Sequence, residues 1–365
     1  MKQLSQIYTV LLLTTYLSGC SAIGYYTQAI RGHLALTTAG KPVDSFIVSK
    51  RTPDDLRNKL LLSRQARRFA DRRLALPVGG AFTDYVVLDH PWVVVNLVAV
   101  PEFSLQPNQW CYPFLGCQAY RGYFHLEDAR SEERQFRAKG YDTFVGGVTA
   151  YSTLGWFDDP LHSGFTNLPD ERMVALMFHE LAHRVVYIKG DTAFNESFAT
   201  AVELEGLKLW LTDQGDLPAF EQALTRLELR NKTHALVAIA SADLQRLYQQ
   251  QGLLSDSRLR ERKQLIFEEL NAAYGRLIGQ VGKGEDGENE EEAGPFGPPP
   301  VAFNNARIAL FTQYNQYVPA FRQLLKQSGG DFPVFYRSVE TLSGQPEEQR
   351  QQALQDLSKR FKENL

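Results

Sequence analysis

The chain has 365 residues, of which 44% are hydrophobic, 12% aromatic and 22% charged. These fractions exclude a disordered or collagen-like chain, and three cysteines are too few for a small disulfide-stabilised scaffold. The 39 lysines and arginines against 42 aspartates and glutamates give a net charge of −3, so no basic excess indicates a nucleic-acid partner.

The N-terminus has the pattern of an export signal. Residues 1–19 combine a short positive region with an apolar stretch at 7–17 and end in small residues before Cys20. That stretch is too short for a stable transmembrane anchor, so the sequence predicts a signal peptide at 1–19 and a single domain over 20–365. The residues LSGC at 17–20 also resemble the bacterial lipobox, in which the cysteine is lipidated. The alternative is an ordinary signal with an incidental cysteine.

Export has consequences for all three cysteines. Lipidation of Cys20 would tether the chain to a membrane of the bacterial cell envelope, facing the periplasm. Ser21, where inner-membrane lipoproteins carry aspartate, favours the outer membrane by family analogy. In an oxidising compartment we expect Cys111 and Cys117 to form a disulfide across a short loop. The alternative, a structural zinc site at these two cysteines, lacks the second pair of ligands.

The predicted elements change from mixed to helical along the chain. A helix is predicted over 52–74, where a hydroxyl residue and a proline precede acidic side chains. Strands are predicted at 85–88, 92–100 and 143–153. Further helices are predicted at 169–188, 194–212, 217–229, 234–252, 257–279, 303–327 and 347–363. The fold class is therefore α+β and mostly α-helical, with a small β-sheet N-terminal to the helical part.

Residues 282–300 interrupt the helical pattern. Their sequence, GKGEDGENEEEAGPFGPPP, is acidic, rich in glycine and proline, and nearly free of large apolar side chains. Such a segment buries too little surface to offset the entropy of ordering it. We expect a flexible loop between two helices of the same domain.

A metal-binding pattern lies on the helix predicted at 169–188. His179 and His183 are four residues apart, so both imidazoles face the same side and can bind one cation. Glu180 is rotated by about 100° from His179, where it can accept a proton from a water on that cation. The pattern is typical of zinc hydrolases, with Glu180 as the general base. The alternative is two surface histidines on an ordinary helix.

A third ligand is predicted on the next helix. The segment NESFA at 195–199 resembles the N-E-x-x-A/S signature of the gluzincin metallopeptidases, and by that resemblance Glu196 completes a His-His-Glu zinc site. The resemblance implies a gluzincin-like pair of helices around Zn²⁺. Glu203 is two turns further along the same face, as an alternative ligand or a partner that orients a histidine. Alternatively, Glu196 is only an acid favoured in the first turn of a helix.

Three further segments resemble one bacterial family over most of the chain. They are GYYTQAIRGH at 24–33, CYPFLGCQAYRGYF at 111–124 and GGVTAYSTLGWFDDPL at 146–161. The chain resembles a group of bacterial lipoproteins described as aminopeptidases. That resemblance implies a lipid anchor at Cys20 and a peptide substrate.

Several residues are candidates for binding the substrate. Ala150, Tyr151 and Ser152 lie on the strand predicted before the metal helix and could pair with a peptide backbone; the alternative is a core strand. Asp158 or Asp159 could bind a free ammonium group, although a turn before proline explains them equally well. The G-x-M-E-N strand that has this role in aminopeptidase-N-like enzymes is absent.

A donor to the developing oxyanion is also needed. Tyr187 is one turn after His183, which places it too far along the predicted helix. Tyr314 and Tyr317 lie on a late helix that could fold over the site, and Tyr314 is the prediction, with a core tyrosine as the alternative.

The sequence thus predicts a zinc-dependent peptidase, with an aminopeptidase as the favoured kind. The alternative is a non-catalytic envelope lipoprotein whose zinc site is structural or vestigial and which acts in binding or assembly.

Overall fold

The computed structural model describes residues 25–112, 116–148, 158–281 and 294–361. It is an α+β fold in which helices predominate, as predicted. The helices are α1 (25–38), α2 (Val43–Val48), α3 (Asp54–Leu74), α4 (Leu126–Ala138), α5 (Ser163–Thr166), α6 (Asp170–Ala182), α7 (Thr192–Gln214), α8 (Leu217–Tyr248), α9 (Asp256–Val281), α10 (Asn305–Asn315), α11 (Val318–Gln327), α12 (Phe332–Ser343) and α13 (Glu347–Arg360).

Among the described residues, eight short strands form three small sheets. The strands are β1 (Lys41–Pro42), β2 (Asp84–Val86), β3 (Val94–Pro101), β4 (Trp110–Tyr112), β5 (Gly116–Gln118), β6 (Arg121–Tyr123), β7 (Tyr141–Val148) and β8 (Leu161–His162). Their orders are β1-β2-β8, β6-β3-β7 and β4-β5. The strands predicted at 85–88 and 92–100 correspond to β2 and β3. The one predicted at 143–153 corresponds to β7 as far as Val148, and its remainder lies outside the described residues.

Strand β3 is buried on both faces because helices cover each side of its sheet. Val95 and Leu97 pack with Ala129 of α4, whereas Val98 and Val100 pack with Ala306 of α10. Alternate side chains of a strand point to opposite faces, so an almost continuous apolar run is required here.

The largest core surrounds α6 and holds that helix rigidly. Met177, Phe178 and Leu181 of α6 pack with Leu74 of α3 and with α7, and all four side chains are at most 1% exposed. Phe198 of α7 also belongs to this core, and it contacts α11 and α12 through aromatic rings. Helix α6, which carries His179, is therefore fixed by packing on its apolar sides.

Several helix predictions were wrong in extent. The helices predicted at 217–229 and 234–252 are the single helix α8, since residues 230–233, RNKT, contain no glycine or proline that would end it. The helix predicted at 303–327 is α10 and α11, because Pro319 is tolerated in the first turn of a helix but not in its interior. Helices α1, α2, α4, α5 and α12 were not predicted.

Part of the loop predicted to be flexible has a defined position. Residues 282–293 lie outside the described part, but Phe296 packs between the rings of Tyr274 and Phe303. The Tyr274 hydroxyl donates to the Gly297 carbonyl at 3.0 Å. No helix in the described ranges is long and apolar enough to cross a membrane.

Candidate metal centre

Helix α6 begins where its sequence carries local start signals. Pro169 precedes it, and Asp170 and Glu171 occupy its first turn, where the helix dipole favours acids. It ends at Ala182, earlier than the predicted end at 188, and His183 is its C-terminal cap. His179 therefore lies in the last turn and His183 at the exit.

The turn between α6 and α7 is held by two polar side chains. Asp191 caps α7 by accepting from the Phe194 amide at 3.0 Å, and Arg350 binds its other oxygen at 2.8 Å. The Asn195 side chain accepts from the Ile188 amide and donates to the Ile188 carbonyl, both at 2.8 Å. Asn195, which precedes Glu196, thus fixes the turn and with it the direction of the Glu196 side chain.

Two imidazoles and one carboxylate meet at the junction of these helices. The rings of His179 and His183 have centroids 4.9 Å apart. One oxygen of Glu196 is 3.4 Å from Nε2 of His179 and 3.8 Å from Nε2 of His183. One ligand atom from each residue lies within 4.8 Å of the others, so the group could bind a metal ion. Two nitrogens and one oxygen suit zinc and leave a fourth position for a reactant.

Glu203 occupies the opposite side of His179. Its carboxylate lies 3.0 Å from Nδ1 of that ring, whereas Glu196 faces Nε2. A carboxylate at Nδ1 favours the tautomer with a proton there and leaves Nε2 available to a cation. The geometry therefore gives Glu203 a supporting position, one of the two alternatives predicted for it.

The two glutamates at His179 are held ionised by their neighbours. Burial would raise the pKa values of Glu196 and Glu203, but the adjacent histidines outweigh it and hold both pKa values below the ordinary range. Burial would likewise lower the pKa of His179, yet its hydrogen bonds to the two carboxylates raise that pKa to about 10. Burial lowers the pKa of His183 to about 4. The site thus attracts positive charge between its carboxylates.

Glu180 has the electrostatic setting of a proton acceptor. Burial raises its pKa, His179 opposes that rise, and the carboxylates of Glu196 and Asp159 add to it, so that the pKa is about 7. A carboxyl group with this pKa can take up and release a proton near neutral pH.

Tyr187 lies in the turn after α6, because that helix ends at Ala182. Burial raises the pKa of the Tyr187 hydroxyl, and the charge of Glu196 adds to that rise. The side-chain amide of Gln118 donates to that hydroxyl at 3.1 Å. The prediction that α6 continues to 188 was wrong, so the position of Tyr187 does not follow from the geometry of that helix.

A disulfide-closed hairpin supports this turn. Cys111 and Cys117 are bonded, as predicted, and join β4 to β5. Gly116 has a φ of +79°, and a Cβ there would lie 2.6 Å from the Lys189 side chain. Glycine is therefore required both by the backbone conformation and by the close approach of the turn.

Comparison with known proteins assigns the chain to a family. A sequence profile of the family described as "Putative aminopeptidase" matches residues 24–354. The chain belongs to this family. No curated protein and no solved structure matched the chain. The family name agrees with a peptidase.

Several predicted residues remain predictions. Cys20 and the segment Ala150, Tyr151 and Ser152 lie outside the described residues, as does the side chain of Tyr314. Tyr317 is buried in the main core, and its amide bonds the Ser197 hydroxyl at 3.0 Å.

The two candidate aspartates differ in burial. Asp158 is exposed, accepts from the Gly80 amide at 3.0 Å and lies 3.3 Å from Arg184. Asp159 is only 9% exposed and lies close enough to Glu180 to influence its pKa.

Proposed function

We propose that the protein is a zinc-dependent peptidase and, more narrowly, an aminopeptidase acting through His179, His183, Glu196 and Glu180. The observation that carries the proposal is the convergence of the first three on one point, with ligand atoms within 4.8 Å of each other. The family name supports the peptidase class. Zinc is the metal we infer because a His-His-Glu set with an open position is typical of catalytic zinc.

Each residue has a distinct role. Zinc bound by His179, His183 and Glu196 would activate a water molecule and polarise the peptide carbonyl. Glu180 takes the proton from the attacking water and passes it to the departing amine, which its pKa of about 7 permits. Tyr187 donates its hydroxyl hydrogen to the carbonyl oxygen as negative charge develops there.

The amino end of the substrate requires an anionic partner. We assign the free ammonium group of the substrate to Asp159, which is 9% exposed and whose charge raises the pKa of Glu180. A buried carboxylate would contribute most when the N-terminus is unblocked, because burial strengthens charge-assisted hydrogen bonds.

The test uses Glu180→Gln, which keeps the shape of the side chain and removes its basicity. We expect the variant to keep the zinc content of the wild type and to lose at least about 100-fold in peptide cleavage. Zinc is measured by elemental analysis, and cleavage with peptides whose N-termini are free or blocked. Glu221→Gln, at an exposed position of α8, is the matched control.

The outcomes separate the proposed function from its alternative. Unchanged cleavage by Glu180→Gln would contradict the catalytic assignment. A wild-type chain that holds zinc but cleaves no peptide would favour a structural metal site in a binding or assembly protein. Equal cleavage of free and blocked peptides would contradict the aminopeptidase assignment.

We also propose that the chain is exported and anchored at Cys20 in the bacterial envelope, facing the periplasm, with the outer membrane favoured. The Cys111–Cys117 disulfide supports an oxidising compartment. The chain is expected in the detergent phase after partitioning, whereas Cys20→Ser is expected in the aqueous phase. Equal partitioning of the two chains would contradict the lipid anchor.

A further inference from the structure

Helix α1 presents an apolar stripe to solvent. Tyr26, Ile30 and Leu34 are 39%, 57% and 54% exposed. Because they follow one another at intervals of four residues, they lie within about 80° of each other around the helix. Exposed apolar side chains are ordinary where they are scattered, whereas a contiguous set on one face indicates a contact surface.

The opposite side of α1 is fixed to the protein. Gln28 donates to the Gly122 carbonyl at 3.4 Å and accepts from the Phe124 amide at 3.1 Å. A Cβ at Gly32 would lie 2.1 Å from the Phe124 ring, so the helix approaches the protein as closely as glycine allows. Leu36 is 8% exposed and packs against β2 and β3. These inward residues are each two positions from a residue of the stripe, which is a rotation of about 200°, so the stripe is held facing outward.

The start of α1 lies close to the proposed lipid anchor. Tyr25, at the described start of the helix, is five positions after Cys20. An extended chain spans at most about 3.3–3.6 Å per residue, so the two are at most about 18 Å apart. Tyr25 is itself fixed, because its ring stacks on Tyr112 with centroids 5.5 Å apart and the Arg121 guanidinium lies 3.9 Å from its centre. A bilayer that holds the lipid is therefore within reach of the stripe.

The charge of this segment suits an anionic surface. The chain has 42 aspartates and glutamates, yet the first of them is Asp44. Arg31, beside the stripe, and Lys41, after the helix, are both exposed. Basic side chains next to an exposed apolar helix face are typical of helices that lie in the surface of an anionic bilayer.

We propose that the outward face of α1 lies in the surface of a bilayer containing anionic phospholipid, with Ile30 and Leu34 below the headgroups and Arg31 among them. The inference rests on the proposed lipid anchor at Cys20 and is independent of the peptidase function. A lipid on one residue holds the chain at the membrane without setting its orientation. A rigid helix bound along its length sets that orientation as well.

The test measures the depth of a spin label in vesicles of phosphatidylethanolamine and phosphatidylglycerol. Ile30→Cys gives the lipidated full chain one free thiol, since Cys111 and Cys117 are bonded. We expect the label to lie about 5–10 Å inside the headgroup boundary. Collisions with oxygen and with a water-soluble nickel complex report that depth. Ile239→Cys, an apolar position of α8 that is 64% exposed, is the matched control, and its label is expected in water.

A second position makes the result independent of one substitution. Leu34→Cys places the label one turn further along the stripe, and we expect a similar depth because α1 lies along the surface. Replacing phosphatidylglycerol by neutral phosphatidylcholine should make both labels shallower, because Arg31 then loses its anionic partners.

The outcomes separate the α1 surface from the anchor, whose lipid is detected by mass spectrometry. Labels at 30 and 34 that stay in water on a lipidated chain would overturn the surface. So would equal depth at 239, which indicates unspecific adsorption. Spin–spin broadening at 30 outside the bilayer would instead show a second copy of the chain on this face.

If Cys20 carries no lipid, the anchor fails, and the labelled chain with Cys20→Ser is mixed with the same vesicles. A label at 30 that enters the bilayer then leaves the α1 surface standing without the anchor. A label that stays in water removes both.

Discussion

At the scale of single residues, Tyr187 gives the sharpest test of the site's chemistry. We expect Tyr187→Phe to lower kcat by about 100-fold, the usual cost of losing one donor to an oxyanion. KM and zinc content should change little, because the hydroxyl acts on charge that develops during the reaction. Steady-state kinetics and elemental analysis check this, with the exposed Tyr26→Phe as control. An unchanged kcat would contradict the role of Tyr187 as oxyanion donor and would leave Tyr314 as the candidate.

Some residues of the candidate site can be predicted from the sequence and others cannot. His179, Glu180 and His183 follow from helix geometry alone, since their spacing sets their directions. Tyr187 does not, because its position depends on where α6 ends. That end is fixed by the Asn195 side chain, which bonds the backbone of the turn from the next helix.

At the scale of elements, Glu133 joins α4 to β7 and makes stability depend on pH. Its side chain is 5% exposed and accepts from Arg130 at 2.7 Å and from Thr143 at 3.0 Å. Burial would raise the pKa of Glu133, but these partners and Arg137 outweigh it and lower that pKa. The stabilisation is therefore complete above the pKa of the unfolded chain, about 4.3. It is lost as the pH falls through the lower pKa of the folded state.

Glu133→Gln is expected to lower the free energy of unfolding by about 1–2 kcal/mol at pH 7, since hydrogen bonds to charged groups contribute on this scale. The difference from the wild type should shrink as the pH falls below about 4, where the wild-type carboxyl also loses its charge. Denaturant unfolding at pH 7 and at a pH below about 4 measures the free energy of unfolding of both chains. Glu127→Gln, exposed on the same helix, should match the wild type. A pH-independent difference would contradict the ionic role of Glu133.

Elements with a strong sequence pattern were predicted, whereas elements with an ambiguous pattern were missed. The α3 prediction came within two residues because acids at its start and an apolar period mark it. Helix α12 was missed although Asp331 caps it and Pro333 lies in its first turn. Its pattern was ambiguous because Phe332, Phe335 and Tyr336 suit a strand as well as a helix.

At the scale of the whole molecule, the sequence predicted the class but not the pairing of strands. Strand β2 pairs in parallel with β8, so that Tyr85 lies beside Leu161. Pairing between strands that are distant in sequence depends on how the intervening segments pack. It therefore cannot be predicted from the residues of either strand alone. The assignment of the matched region, 24–354, to one family agrees with the resemblance seen in the motifs.

The hairpin closed by Cys111 and Cys117 has a consequence for how the molecule matures. Through Gln118 and Gly116 it touches the turn that carries Tyr187 and Lys189. A chain with two thiols would lack the covalent link that joins β4 to β5 beside this turn. We expect oxidation of these two cysteines, which are remote in sequence from His179, His183 and Glu196, to stabilise the support of the proposed metal site.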